Sequence, residues 1–142
     1  TEGAELACGG DRLTRDTDGY FMAPGVFLNT TNDMRINREE MFAPLAAVIK
    51  VDSYSEALHV VNDTHFGLTS GIVTRSLSRA THFRRNARTG CVMVNLPTAG
   101  TDYHVPFGGR GDSSYGTREQ GTYAAEFYTT VKTAYIASGT PE

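Results

Sequence analysis

LAAVIKVDSYSEALHVVNDTHFGLTSGIVTRSLSRATHFRRNARTGCVMVN, residues Leu45–Asn95, is the stretch whose reading decides the fold. It opens on Leu45-Ala46-Ala47-Val48-Ile49, a short apolar run with branched side chains that reads as a buried strand. Ser53 followed by Glu56 is a capping box, which supplies partners for the unpaired amides of a helix start. Tyr54, Ala57, Leu58 and Val61 then fall on one helical face. Gly67 closes the connection and Ser70-Gly71-Ile72-Val73-Thr74 reads as a second strand. A further amphipathic helix carries Leu77, Ala80, Phe83, Arg84 and Ala87 and is expected to stop at Gly90, a C-terminal cap. Cys91-Val92-Met93-Val94-Asn95 is a third strand. Strand, helix, strand, helix, strand with short links predicts an α/β fold, a βαβαβ unit with parallel strands and right-handed crossovers.

The flanks differ. Residues 1–37 hold glycines, Asp-rich turns and a strand around Gly25-Val26-Phe27-Leu28. Past Gly121, Tyr123, Ala124 and Phe127 suit a short helix. Tyr128 to Ile136 alternates aromatic and β-branched residues, which favours a strand. A terminal strand with no sequence neighbour leaves an exposed edge unless something pairs with it, and another subunit is the expected partner.

The composition fits one globular domain: 142 residues, 39% hydrophobic and 20% charged. A compact chain near this size buries roughly 68–70% of its unfolded surface. A net charge of −3 argues against a nucleic-acid partner. Arg84, Arg85 and Arg88 lie at helical spacing and read as a solvated face. No apolar run reaches the roughly 18 residues of a membrane span, and Thr1-Glu2-Gly3 does not open a signal peptide. The expected setting is cytoplasmic. Two cysteines, Cys8 and Cys91, make neither a disulfide scaffold nor a metal site. His59, His65, His82 and His104 lack ligand spacing. The sequons at Asn29 and Asn62 and the Arg110-Gly111-Asp112 tripeptide read as chance.

Four motifs remain: Arg38-Glu39-Glu40-Met41-Phe42-Ala43-Pro44, Asn95-Leu96-Pro97-Thr98, Pro106-Phe107-Gly108-Gly109 and Arg118-Glu119-Gln120-Gly121. A carboxylate and an aromatic two residues apart can serve one cofactor, the carboxylate accepting both hydroxyls of a ribose and the ring packing on the base. A Gly-Gly turn lets backbone approach a ligand closely. Asn95 ends a strand, and the loop after it lies where open α/β sheets bind ligands. Read in isolation, Glu40 is a surface charge, Phe42 a core aromatic, and Phe107 equally a core residue.

In order and spacing, these motifs resemble the C-terminal third of an NAD(P)-dependent aldehyde dehydrogenase. The resemblance runs over about residues 3–136. It implies that residues 1–121 are the C-terminal part of a catalytic domain and that 122–142 form a short helix and an oligomerisation strand, giving a homo-oligomer. It implies that Glu40 binds the nicotinamide ribose and Phe42 contacts the nicotinamide ring, with NAD or NADP as cofactor. Pro97, Thr98 and Phe107 would line the tunnel for a small-molecule aldehyde. The family pattern has glycine where Ala43 stands and lysine where Gly111 stands, before Asp112. Asn95 to Gly100, Asp102 to Gly109, Ser113 to Gly116 and the run Phe127–Tyr135 look most like α-ketoglutaric semialdehyde dehydrogenases.

The family works through a cysteine nucleophile, and its cysteine, general-base glutamate and dinucleotide fold come earlier in the polypeptide. Cys91 begins a buried strand, where a thiol is an inert small hydrophobe. The expectation is therefore a fragment with no catalytic residue of its own, inactive alone. The alternatives are a stand-alone assembly or binding module, or an aldehyde dehydrogenase of another substrate class, such as succinate semialdehyde.

Overall fold

The structure, a computed structural model, describes residues 2–139. Thr1 and the last three residues of the expected tail lie outside the described residues. The chain divides into two compact units, Thr1–Thr64 and His65–Glu142.

The first unit holds β1 (Glu5–Cys8), β2 (Arg12–Leu13), β3 (Phe21–Met22), β4 (Gly25–Leu28), α1 (Arg35–Arg38), β5 (Leu45–Ala47) and α2 (Tyr54–Asn62). β4 is the middle strand of a three-stranded sheet, antiparallel to β1 and parallel to β5. β2 and β3 form a separate antiparallel pair. Ser53 caps α2, its hydroxyl accepting from the Glu56 amide at 3.1 Å. The Glu56 carboxylate reaches back past the cap to the Asp52 amide at 2.8 Å, one residue further than in a standard box.

The second unit holds β6 (Thr69–Ile72), α3 (Leu77–Asn86), β7 (Cys91–Val94) and α4 (Ala124–Phe127). β6 and β7 run parallel, Thr69 opposite Cys91 and Ile72 opposite Val94, with α3 as the crossover between them. Ser76 caps α3, accepting from the Arg79 amide at 3.3 Å. The chain is thus mixed α/β with parallel pairs, but the expected βαβαβ run is not one sheet. β5 pairs with β4, and β6 pairs with β7.

Three further expectations are corrected. α3 ends at Asn86, with Ala87 already extended, so Gly90 is not its cap. Gly90 instead admits the neighbouring loop: a Cβ there would stand 1.8 Å from the Gly108 carbonyl oxygen. Residues 129–139 form no strand within the single chain and are exposed. The expected degree of burial also fails. Among the described residues the buried apolar ones are Met34, Phe83 and Ala87. The accessible surface is 11392 Å², about 1.6 times what size scaling gives for a compact monomer of 15.4 kDa. Two separate compact bodies of half that mass would expose only about 8,700 Å², so the excess belongs to the units themselves. No helix among the described residues is long and apolar enough to cross a membrane.

Candidate functional site

The site residues expected from sequence fall in both units, and each group has its own scaffold. In the first unit, α1 is a single turn that needs external anchors. Arg38 donates to Asp63, at 2.8 Å to the carboxylate and 2.7 Å to the carbonyl oxygen. Asn32 donates to the same carboxylate at 2.7 Å and the same carbonyl at 3.0 Å. Asp63 is the C-terminal cap of α2, so one residue ties the segment before Glu40 to that helix end. The Arg38 hydrogen bond, then its charge, then Asn32 hold the Asp63 carboxyl below its ordinary pKa.

The twin glutamates after α1 are not equivalent. Glu39 turns back and pairs with Arg35 at 3.1 Å, and that hydrogen bond lowers its pKa. The side chain of Glu40 is exposed and meets no hydrogen-bonding or ionic partner among the described residues. Two residues on, Phe42 adopts φ 49° and is 92% exposed. A bulky residue in the left-handed region is an outlier whose strain costs of order 1–3 kcal/mol. The backbone thus turns the ring outward into solvent rather than into a core. Ala43 has no positive φ, so the methyl where the family pattern has glycine imposes no left-handed strain. The loop is then fixed by the Gly25 amide donating to the Pro44 carbonyl at 2.9 Å.

In the second unit, Asn95 directly follows β7 at φ 57°. Its side-chain amide takes the place of a strand neighbour: Oδ1 accepts from the Thr74 amide at 2.8 Å and Nδ2 donates to the Thr74 carbonyl at 2.9 Å. Beyond the carboxyl ends of β6 and β7 opens a groove of about 750 Å³ lined by Val73, Thr74, Arg75, Asn95, Leu96 and Pro97. Pro97 and Thr98 are exposed at this end. The Thr98 methyl lies 3.0 Å from where a Gly71 Cβ would be.

Phe107 is placed differently. Its backbone bridges Glu119, with amides donating at 2.8 and 2.9 Å, and its side chain is half-buried. The following Gly108 carbonyl packs on Gly90, just before β7, where a Gly90 Cβ would collide with it, whereas a Gly108 Cβ would meet the Arg118 side chain. Arg118 clamps the turn by donating to the Gly109 carbonyl, and Ser114 Oγ accepts from the Gly109 amide at 2.6 Å. The Gly-Gly pair thus permits close chain-to-chain packing inside the unit. The two parts of the expected tunnel wall are tied to opposite ends of β7. Gly111 has φ 56°, and a Cβ on it would meet the His65 carbonyl oxygen at 2.3 Å, so no lysine fits this backbone.

The Asn95 clamp and the Asp63 node have no motif in the sequence. The one signal the sequence carries for the clamp is a polar residue directly after an apolar strand.

The sequence model of the aldehyde dehydrogenase family matches residues 1–134. The α-ketoglutaric semialdehyde dehydrogenase of Bacillus subtilis is 42% identical over 137 residues, 95% of this chain and 28% of that protein. The 4-trimethylaminobutyraldehyde dehydrogenase A of Danio rerio is 37% identical over 145 residues, 99% of this chain and 28% of that protein. Among solved structures, the indole-3-acetaldehyde dehydrogenase of P. syringae in complex with NAD+ and IAA superposes with a TM-score of 0.86 at 37% identity, covering 95% of this chain and 27% of that one. The chain spans little more than a quarter of the length of each of these proteins.

Proposed function

The chain belongs to the aldehyde dehydrogenase family, and from that premise we propose that it supplies the C-terminal part of an NAD(P)-dependent enzyme oxidising an aldehyde to a carboxylate. In this reading residues 1–121 complete a catalytic domain, and the tail from 122 pairs subunits. Glu40 holds the nicotinamide ribose, Phe42 lies against the nicotinamide ring, and Pro97, Thr98 and Phe107 wall the aldehyde's path. In the same reading the nucleophile comes from elsewhere in the enzyme and not from Cys8, on β1, or Cys91, whose thiol faces the Gly108 carbonyl at 3.9 Å.

One observation carries the cofactor assignment. Of two adjacent glutamates, only Glu40 keeps an unpartnered carboxylate, and Phe42 is strained into display two residues away. These residues fit a ribose diol and a flat base. The bound nicotinamide would supply the hydride acceptor. The residues of this chain would fix its ribose, cover one side of its ring and exclude water. The tail assignment is supported by exposed Val131, Tyr135 and Ile136, apolar groups with nothing covering them in the single chain. The bare surface also favours assembly with further polypeptide over an independent binding module. A cytoplasmic setting belongs to the same reading, with two free thiols as its support.

The relatives' named substrates carry opposite charges, a carboxylate in one and a trimethylammonium in the other. The semialdehyde reading follows the greater identity, and α-ketoglutaric semialdehyde is its first candidate. The test is a hybrid in which residues 1–142 replace the matched segment of the Bacillus subtilis relative. Aldehyde-dependent reduction of NAD+ or NADP+ is expected from the hybrid and not from the 142-residue chain alone. A folded hybrid inert toward every aldehyde would overturn the proposal, as would turnover by the chain alone that stops when Cys91 is blocked.

A further inference from the structure

The groove beyond β6 and β7 contains one positive charge with no assigned task. Thr74 and Ser76 on either side of Arg75 are fixed by their backbones: Asn95 holds the Thr74 amide and carbonyl, and the Ser76 amide donates to Thr74 Oγ1 at 3.1 Å. Ser76 in turn caps α3, so the segment cannot shift without unmaking a helix start. Arg75 is therefore presented from a rigid base. Arg75 lines the groove, is exposed, and its side chain meets no hydrogen-bonding or ionic partner among the described residues. On the same rim Val73 is 90% and Leu96 67% exposed, giving the groove apolar sides beside its cationic group.

Apolar sides with one fixed guanidinium match a short aliphatic chain that ends in a carboxylate. We infer that Arg75 determines substrate charge, its guanidinium holding the carboxylate at the far end of a semialdehyde while Val73 and Leu96 flank the methylene groups. Guanidinium suits this task because its planar fork can grip both carboxylate oxygens and stays charged at every working pH. The same charge repels a quaternary ammonium aldehyde. The groove starts at Pro97, so the anchored end and the expected aldehyde path share a residue. Arg75 touches the remote end of the substrate and takes no part in the chemistry. The inference rests on the aldehyde-oxidising reading above and names its substrate class.

The experiment uses the same hybrid with three aldehydes of equal chain length: succinate semialdehyde, butyraldehyde and 4-trimethylaminobutyraldehyde. Arg75→Gln is expected to lower kcat/KM for succinate semialdehyde about 10- to 100-fold, the range for a charge-assisted hydrogen bond, chiefly by raising KM. Butyraldehyde should change by no more than about twofold, as for an exposed substitution without a task. Arg75→Glu should further turn preference toward the trimethylammonium aldehyde. An equal fall for succinate semialdehyde and butyraldehyde would reduce Arg75 to a structural role and overturn the inference, as would no fall for either. If the hybrid oxidises nothing, calorimetric binding of succinate to it still decides the matter. Binding lost in Arg75→Gln upholds the anion site while the enzymatic reading fails, and absent or unaffected binding overturns both.

Discussion

Asn95 grips Thr74 at both of its backbone groups, accepting from the amide at 2.8 Å and donating to the carbonyl at 2.9 Å. The side chain of the residue after β7 thus holds the chain beyond the end of β6 and sets the base from which the groove rises. Asn95→Ala removes two hydrogen bonds near solvent and places a less tolerant residue at φ 57°. The loss of stability should be about 1–3 kcal/mol, read from urea unfolding of the hybrid. A change below that range would show that the clamp contributes little.

Glu39 and Glu40 should separate cleanly. Glu40→Gln in the hybrid should weaken cofactor binding or slow hydride transfer by about 1.5–3 kcal/mol, the value of one charged hydrogen bond. Glu39→Gln breaks the exposed pair with Arg35 and should leave cofactor affinity as it was. Titration of NAD+ against both variants measures this, and equal effects would remove Glu40 from the site.

Phe42→Gly distinguishes strain from packing. Glycine accepts a φ of 49° without penalty but adds backbone entropy to the unfolded chain. The two effects offset, so stability should stay within about 1 kcal/mol. NAD+ affinity should nonetheless fall, because the displayed ring is gone. A loss of stability with unchanged affinity would assign the ring to packing.

Acid should loosen the tie between α1 and α2. Asp63 has its carboxyl pKa lowered by Arg38 and Asn32. Because the folded pKa lies below the unfolded one, this contribution is present above the ordinary aspartate value of 3.8 and disappears as pH falls through the lowered pKa. The Asp63 carboxyl resonance should titrate below that value. Asp63→Asn should abolish the titration and let Arg38 move.

Two glycines with different surroundings should respond differently to alanine. At Gly90 the new Cβ would meet the Gly108 carbonyl oxygen at 1.8 Å, so backbone must move; a loss above about 3 kcal/mol is expected. Gly100 has φ 85° with nothing within 4 Å, so Gly100→Ala should cost only the left-handed penalty of about 1–2 kcal/mol. Similar values at the two sites would show that the Gly108 turn yields readily.

The local rules read well where their causes are local. Ser53 begins a helix as its hydroxyl dictates, and Cys91–Val94 is a strand as its apolar run requires. What they could not supply was the partner of each strand. Periodicity places Leu45–Ala47 and Thr69–Ile72 in strands but does not say that they join different sheets. Gly90 failed as a cap for the same reason: its necessity comes from Gly108, distant in sequence. At the site, Glu40 and Phe42 were legible as types, yet only the Arg35 pairing of Glu39 shows which glutamate is free. Arg75 carried no motif, and its isolation becomes visible only once its neighbours are pinned.

The uncovered apolar surface has a biological consequence. β5 and β6 each pair on one side only among the described residues, and large apolar side chains stand in water around them. Open edges beside bare hydrophobic groups are the features by which chaperones and proteases recognise unfinished protein. Covering these edges and side chains would remove the features that invite such recognition.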